Sequence, residues 1–226
     1  MQRTGTMRKK STNKADMPTP EASASGKPAY HHGDLARALV EAGREILTEK
    51  GTDGLSLRGV AAKAGVSQAA PYSHFKSKKA LLRAIGASGF AELADNMTSN
   101  VSADDDWQET FIVYGITYIE FAIQNPDIYR LMFARIDPNA RSDHEDENTP
   151  EPDKLDQEAT RAFRLLLQLF MTRFADRKTA TTLSRCAWGL VHGLSSLITE
   201  GLIVAPVKGR RQFLRNLLVA QKKIFG

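Results

Sequence analysis

Beyond residue 32 the apolar positions recur at helical spacing almost everywhere, and alternating strand-like runs are scarce. Leu35, Ala38, Leu39, Ala42, Ile46 and Leu47 fall on one face of a first helix, with Asp34 in its first turn and Gly51 after Lys50 as a stop signal. Thr52-Asp53-Gly54 reads as a turn. Ser56 then caps a second helix, Leu55 is placed to staple against Val60, and Leu57, Val60, Ala61 and Ala64 form its inner face up to Gly65. Ser67 is expected to cap a third helix closed by Phe75, and Ser77 a fourth whose stripe opens with Leu81, Leu82 and Ile85. Further helices are expected over 107–125, from a cap at Asn125-Pro126 to about Arg135, over 154–175 and 179–200, and over 208–224. The pattern predicts an all-α chain.

Within that pattern, two short helices meet at Gly65-Val66-Ser67, where glycine can take the left-handed conformation of a tight turn. The second of the pair carries Gln68, Tyr72, Ser73 and His74, with Lys76, Lys78 and Lys79 beside it. One helix braces, the turn sets the angle, and the next enters a DNA major groove: this is a helix-turn-helix in outline. Charge sharpens the reading. Of a net +5, residues 1–29 hold six Lys/Arg against two acids and residues 30–86 nine against five, while the remaining 140 carry sixteen against nineteen. The positive excess therefore sits beside the reading element, where phosphates would need it.

The outer segments read differently. Residues 1–29 are rich in Ser, Thr, Pro, Ala and Lys and poor in large apolar side chains, so they are expected to be a disordered basic arm: a solvated tail or a contact to phosphates and minor groove. Residues 137–153 are acidic, Pro-containing and expected to be a flexible loop. A single Cys186 leaves no internal disulfide and fits a reducing compartment; with no apolar signal segment and no membrane-length run, a soluble cytoplasmic protein is expected.

Residues 33–85 resemble the DNA-binding domain of the TetR/AcrR family of transcriptional regulators. The resemblance rests on Leu57-Arg58-x-Val60-Ala61-x-x-Ala64-Gly65-Val66-Ser67, Tyr72-x-His74-Phe75-Lys76-Ser77-Lys78 and Leu81-Leu82. A shorter likeness, Trp188-Gly189-x-x-His192-Gly193 with Asn125-Pro126-Asp127-x-Tyr129-Arg130-Leu131-Met132-Phe133, is similar to the C-terminal domain of the family's Trp-His-Gly subgroup. The resemblance implies a head over 30–86, with three helices forming the helix-turn-helix, joined by a longer helix to a helical bundle over 87–226 that binds ligand and dimerises. It implies a homodimeric repressor released from a palindromic double-stranded operator by a small molecule. Gln68, Ala69, Ala70 and Ser73 would face base edges, with Gln68 the one side chain able to pair bidentately with adenine. Arg58, Tyr72, His74, Lys76 and Lys78 would hold phosphates, and the capped helix starts at Ser56 and Ser67 would offer backbone N–H groups. Pro71 stands where a larger aliphatic is common and Gly59 where an acidic residue or alanine is common, so the tilt of the reading helix is open.

In the second half Trp107, Phe111, Tyr114, Tyr118 and Phe121 share one helix face, as core, as pocket wall, or both. Tyr114, Tyr118, Phe121, Phe133, Phe170, Trp188 and His192 are the candidate ligand contacts, for an apolar or aromatic effector; His192 reads equally as a hydrogen-bonded structural group. Gly189 and Gly193, four apart, suit close approach of a helix, within the subunit or across a dimer formed by 179–200 and 208–224. Leu183, Leu190, Leu194, Leu197, Phe213, Leu217 and Leu218 of those two helices exceed what a monomer of this size need expose, and Cys186 is expected to be a buried small side chain. The acidic tract 143–147 lacks the second histidine of a zinc-protease motif, and no cofactor or metal is expected. No nucleophile–base pair or phosphate loop points to an enzyme. The rival readings are a sequence-independent DNA binder and a small-molecule-binding protein or hydrolase without regulatory DNA binding.

Overall fold

Ser56 accepts a hydrogen bond from the Gly59 N–H at 3.0 Å, and Ser77 one from the Ala80 N–H at 3.1 Å, so both expected caps form. They sit in a computed structural model that describes residues 1–2, 32–134 and 154–225. Apart from Met1 and Gln2, the basic arm lies outside the described residues, as does the 137–153 loop. The described residues contain α1 (His32–Gly54), α2 (Leu57–Lys63), a 3-10 turn (Ala70–Ser73), α3 (Lys78–Ser99), α4 (Trp107–Gln124), α5 (Pro126–Phe133), α6 (Lys154–Arg173), α7 (Arg177–Thr199) and α8 (Arg210–Phe225), with no strand. None of these helices is long and apolar enough to cross a membrane.

The apolar periodicity determines which faces are buried. Leu39, Ala42, Ile46 and Leu47 of α1 close on Leu57 and Val60 of α2, on Phe75, and on Leu81 and Ile85 of α3. Gly51 (φ +67°) ends the regular part of α1 where the stop signal stands, and Gly65 (φ +68°) turns the chain out of α2. Gly86 and Ala87 are both buried in the middle of α3, and one apolar core runs from Leu39 to Leu218.

The third helix differs from expectation. Only Ala70–Ser73 are helical there, in 3-10 geometry, and Ser67 does not cap: the N-cap position falls to Ala69, which makes no side-chain bond. Pro71 is the physical reason. Lacking an N–H, it cannot donate to the Ser67 carbonyl, as an α-helix would require. The Ala70 N–H takes that carbonyl instead, at 3.0 Å with three-residue spacing. Pro71 is itself buried, so the turn is pinned to the head.

Three further expectations change. Asn125 precedes α5 but does not cap it; its Nδ2 donates back to the Phe121 carbonyl at 3.3 Å, closing the end of α4. Cys186 is exposed, because α7 turns Ala180, Ser184, Ala187, Val191 and Ser195 inward and Cys186 falls on the far side. Leu218 is not available to a dimer: it is 1% exposed and packs over Gly115, where an added Cβ would sit 2.8 Å from its Cδ1.

Helix α3 is the spine. It packs on α1, α4, α5 and α6, and Arg44 of α1 pairs with Glu92 of α3 and donates to Ser88 at 3.3 Å. Its tightest contact is with α5. A Cβ at Gly89 would lie 2.7 Å from Ile128 Cγ2 and 2.8 Å from Met132 Sδ, so α5 rests in a notch that only glycine leaves open. Gly89→Val is therefore expected to lower the unfolding free energy by about 1–3 kcal/mol through overpacking. Chemical denaturation followed by circular dichroism checks this, and an unchanged midpoint would mean that α5 has room to shift.

Candidate DNA-reading face and effector cavity

The reading face is built by α2 and the 3-10 turn. Arg58 on α2 and Ser67, Gln68 and Ala69 after the Gly65 turn are all exposed, Ala70 is half-buried, and Tyr72 keeps 53% of its surface in solvent. An exposed tyrosine beside the exposed Lys76 and half-buried Lys78 suits a polyanion: its ring covers sugar while its hydroxyl reaches phosphate. Two of the expected contact residues have a polar atom turned into the head. The Ser73 hydroxyl donates to the Ala70 carbonyl at 2.7 Å, so its proton is occupied within the turn. His74 turns its Nε2 inward, where that atom is buried with no hydrogen-bond partner among the described residues. Lys63 is held by Glu45 and Glu49 at 3.0 and 2.6 Å and offers little free charge.

The second site is a cavity in the helical bundle. Phe90, Leu93 and Met97 of α3 form one wall, Tyr114, Gly115 and Tyr118 of α4 another, and Phe163 of α6 and Trp188 of α7 face them. Leu218 of α8 closes one side. No Asp, Glu, Lys, Arg or His lines it, and its volume is about 40 Å³. That is room for a little water; an aromatic ring asks for something nearer ~150 Å³, so a ligand must part the walls.

Two polar groups of the wall, on Trp188 and Tyr118, are chained to His192 and Tyr129 behind it. Trp188 Nε1 donates to Tyr118 Oη at 3.2 Å, and Tyr118 Oη lies 3.1 Å from His192 Nδ1. Tyr129 Oη meets the same Nδ1 at 2.7 Å. Burial pushes the Tyr118 hydroxyl well above the usual phenol range, raises those of Tyr129 and Tyr114, and depresses the His192 imidazole. The network is therefore neutral at physiological pH, matching its apolar surroundings.

Of the residues read as ligand contacts, Tyr114, Tyr118 and Trp188 reach the cavity. His192 stands one hydrogen bond behind Tyr118. Phe133 packs edge-on against His192 at 4.5 Å and lines a separate shallow groove with Arg185 and Gly189. Phe121 and Phe170 are core instead: Phe121 is 3% exposed, and Phe170 is fully buried against Trp107 and Phe111. Sequence reasoning missed Phe90, Leu93, Met97 and Phe163. The first three stand three and four apart, a periodicity that was legible, but the helix carrying them had been read mainly as part of the head. Among the described residues no cluster of three or more His, Cys, Asp or Glu is placed to hold a metal ion.

Comparison with known proteins agrees with both halves. Residues 39–85 match the family described as bacterial regulatory proteins, tetR family, and residues 112–220 match a tetracyclin repressor-like C-terminal domain. The HTH-type transcriptional regulator YobS of Bacillus subtilis is 25% identical over 199 residues, covering 85% of this chain and 97% of that protein. The class A tetracycline repressor of Escherichia coli is 44% identical over 75 residues, a stretch covering 33% of each chain. A Rhodococcus protein of unknown function shares the fold with a TM-score of 0.64 at 26% identity, over 85% of this chain and 97% of its own. A variant of TetR from Acinetobacter baumannii, solved in complex with minocycline, superposes with a TM-score of 0.54 at 18% identity over 85% and 96% of the two chains. The all-helical fold, the helix-turn-helix and matches to both halves agree: this chain belongs to the TetR family and is a DNA-binding transcriptional regulator.

Proposed function

We propose that the chain is a homodimeric, ligand-responsive repressor acting in the cytoplasm, released from a palindromic operator when a small apolar or aromatic effector enters the bundle cavity. One observation carries the ligand response: α3 belongs to both sites. Its first turns, through Leu81 and Ile85, are packed into the head, and its later turns supply Phe90, Leu93 and Met97 to the cavity wall. Where a bound ligand shifts this wall, the displacement reaches the reading face through a continuous helix. That the Acinetobacter relative was solved with minocycline supports ligand response as a property to test in this chain.

In this reading Arg58, Tyr72, Lys76 and Lys78 hold phosphates and fix register, while Gln68, with methyl contacts from Ala69 and Ala70, reads bases. The domain division at 86/87 is one of use, since reading face and cavity share a core. Dimerisation engages α7 and α8. Among the described residues nothing lies within 4 Å of where a Cβ of Gly189 or Gly193 would stand, which leaves both open to a partner helix. Leu197 beyond them is 40% exposed.

A fragment from upstream of the protein's own coding region is expected to be retarded in a mobility-shift assay, with random DNA of equal length binding much more weakly. Arg58→Ala should weaken all sequences alike and reduce the salt slope by about one. Gln68→Ala should cost about 1–3 kcal/mol on the preferred site and relax its specificity. Equal affinity for random DNA would favour a sequence-independent binder. Light scattering should report twice the 24.9 kDa chain mass, and Gly193→Leu should shift the protein to the single-chain mass; a wild-type monomer would rule out the dimer.

A further inference from the structure

The cavity wall offers a ligand two different things. Most of it is hydrocarbon, which provides affinity without direction. The polar side-chain groups among its lining residues are the Tyr114 and Tyr118 hydroxyls and the Trp188 indole N–H, and the last two belong to a chain joining three helices: Trp188 and His192 on α7, Tyr118 on α4 and Tyr129 on α5. We infer that this hydrogen-bond chain is the occupancy sensor, so that an effector releases DNA only if it takes a hydrogen bond from Tyr118, whereas a ligand that merely fills the apolar walls binds without releasing. The inference rests on the ligand-responsive reading above.

Three observations support it. First, the chain ends on the one element whose movement α3 must follow. Tyr129 lies between Ile128 and Met132, whose side chains occupy the Gly89 notch with no slack. Second, Tyr129 is 3% exposed and does not line the cavity, so it can learn of a ligand only through its neighbours. Its contacts toward the cavity are polar and aromatic: His192 Nδ1, the Tyr118 ring at 5.9 Å and Phe133 at 5.2 Å. Third, Phe133 completes the return path, packing edge-on against Phe90 of α3 at 5.2 Å. A ligand acceptor that captures the Tyr118 proton takes it from His192 and leaves Nδ1 to Tyr129 alone, which changes how the imidazole is held between α4 and α5. An apolar ligand leaves all of these bonds intact.

Two single-ring probes of similar size separate affinity from release. Ethylbenzene has no hydrogen-bonding group, and acetophenone adds a carbonyl acceptor. Calorimetry should find both bound, acetophenone at least as tightly as ethylbenzene, since its bond to Tyr118 replaces the one to His192. Only acetophenone should lower affinity for the retarded upstream fragment, by at least about tenfold in fluorescence anisotropy. In a Trp107→Phe background Trp188 is the one remaining tryptophan, and its emission should shift with acetophenone but not with ethylbenzene. Tyr129→Phe should bind acetophenone within about twofold of wild type yet hold DNA in its presence. If that variant fails to fold by circular dichroism, Tyr118→Phe should bind both probes equally and release with neither. Release by ethylbenzene as complete as by acetophenone, or normal release from Tyr129→Phe, would overturn the sensor. Binding of both probes with release by neither would overturn it too, leaving the cavity a ligand site. Failure of either probe to bind at all would remove the cavity reading and this inference together.

Discussion

The close approach of α5 to α3 at Gly89 is the constraint on which the molecule depends. A missing Cβ lets Ile128 and Met132 come within van der Waals contact of the α3 backbone, and that contact joins the aromatic network of the bundle to the spine of the head. Interiors packed at this density do not deform gradually. A shift of α5 must be answered by α3, and α3 cannot move without its N-terminal turns, which are buried against α1 at Leu81 and Ile85. The Arg44 contacts to Glu92 and Ser88 brace the same crossing from the α1 side.

Around that joint the chain divides its polar and apolar resources. Charge is kept to the outside, in Lys76, Lys78 and Arg58 at the reading face and in the bidentate Arg215–Glu109 pair that ties α8 to α4. The interior holds aromatic rings and a neutral hydrogen-bond chain. Burial keeps its phenols protonated and its imidazole uncharged, and this makes a cavity without ionic groups affordable in a bundle only a few helices thick. At the reading face, by contrast, Pro71 trades helical regularity for a buried anchor. The turn is shorter than a full recognition helix, with Tyr72 inside it and Gln68 ahead of it.

Much was legible in the chain itself. Helix positions, the caps at Ser56 and Ser77, the stops at Gly51 and Gly65 and the inward faces of α1 and α2 follow from spacing and side-chain chemistry, because each is decided within a few residues. The same local reasoning found Tyr114, Tyr118 and Trp188. It failed where an outcome hung on distant partners. Phe170 and Tyr118 are both aromatic residues on amphipathic helices, and only the packing of Trp107 over Phe111 sends the first to the core while the second borders a cavity. Cys186 and Leu218 exchanged their expected places, because which stripe of α7 and α8 faces inward is settled by α4 and Gly115 rather than by composition.

What the sequence alone determined, then, is the all-helical class, the helix-turn-helix and its basic surroundings, since hydrophobic period, capping and charge act at short range. The family resemblance of the head was visible there as well. The tertiary structure decided that head and bundle share one core through α3, that α5 is wedged at Gly89, and that His192 works from behind Tyr118. These are meetings of residues 30 to 75 positions apart, and no spacing along a chain reports where two helices will touch until packing brings them together.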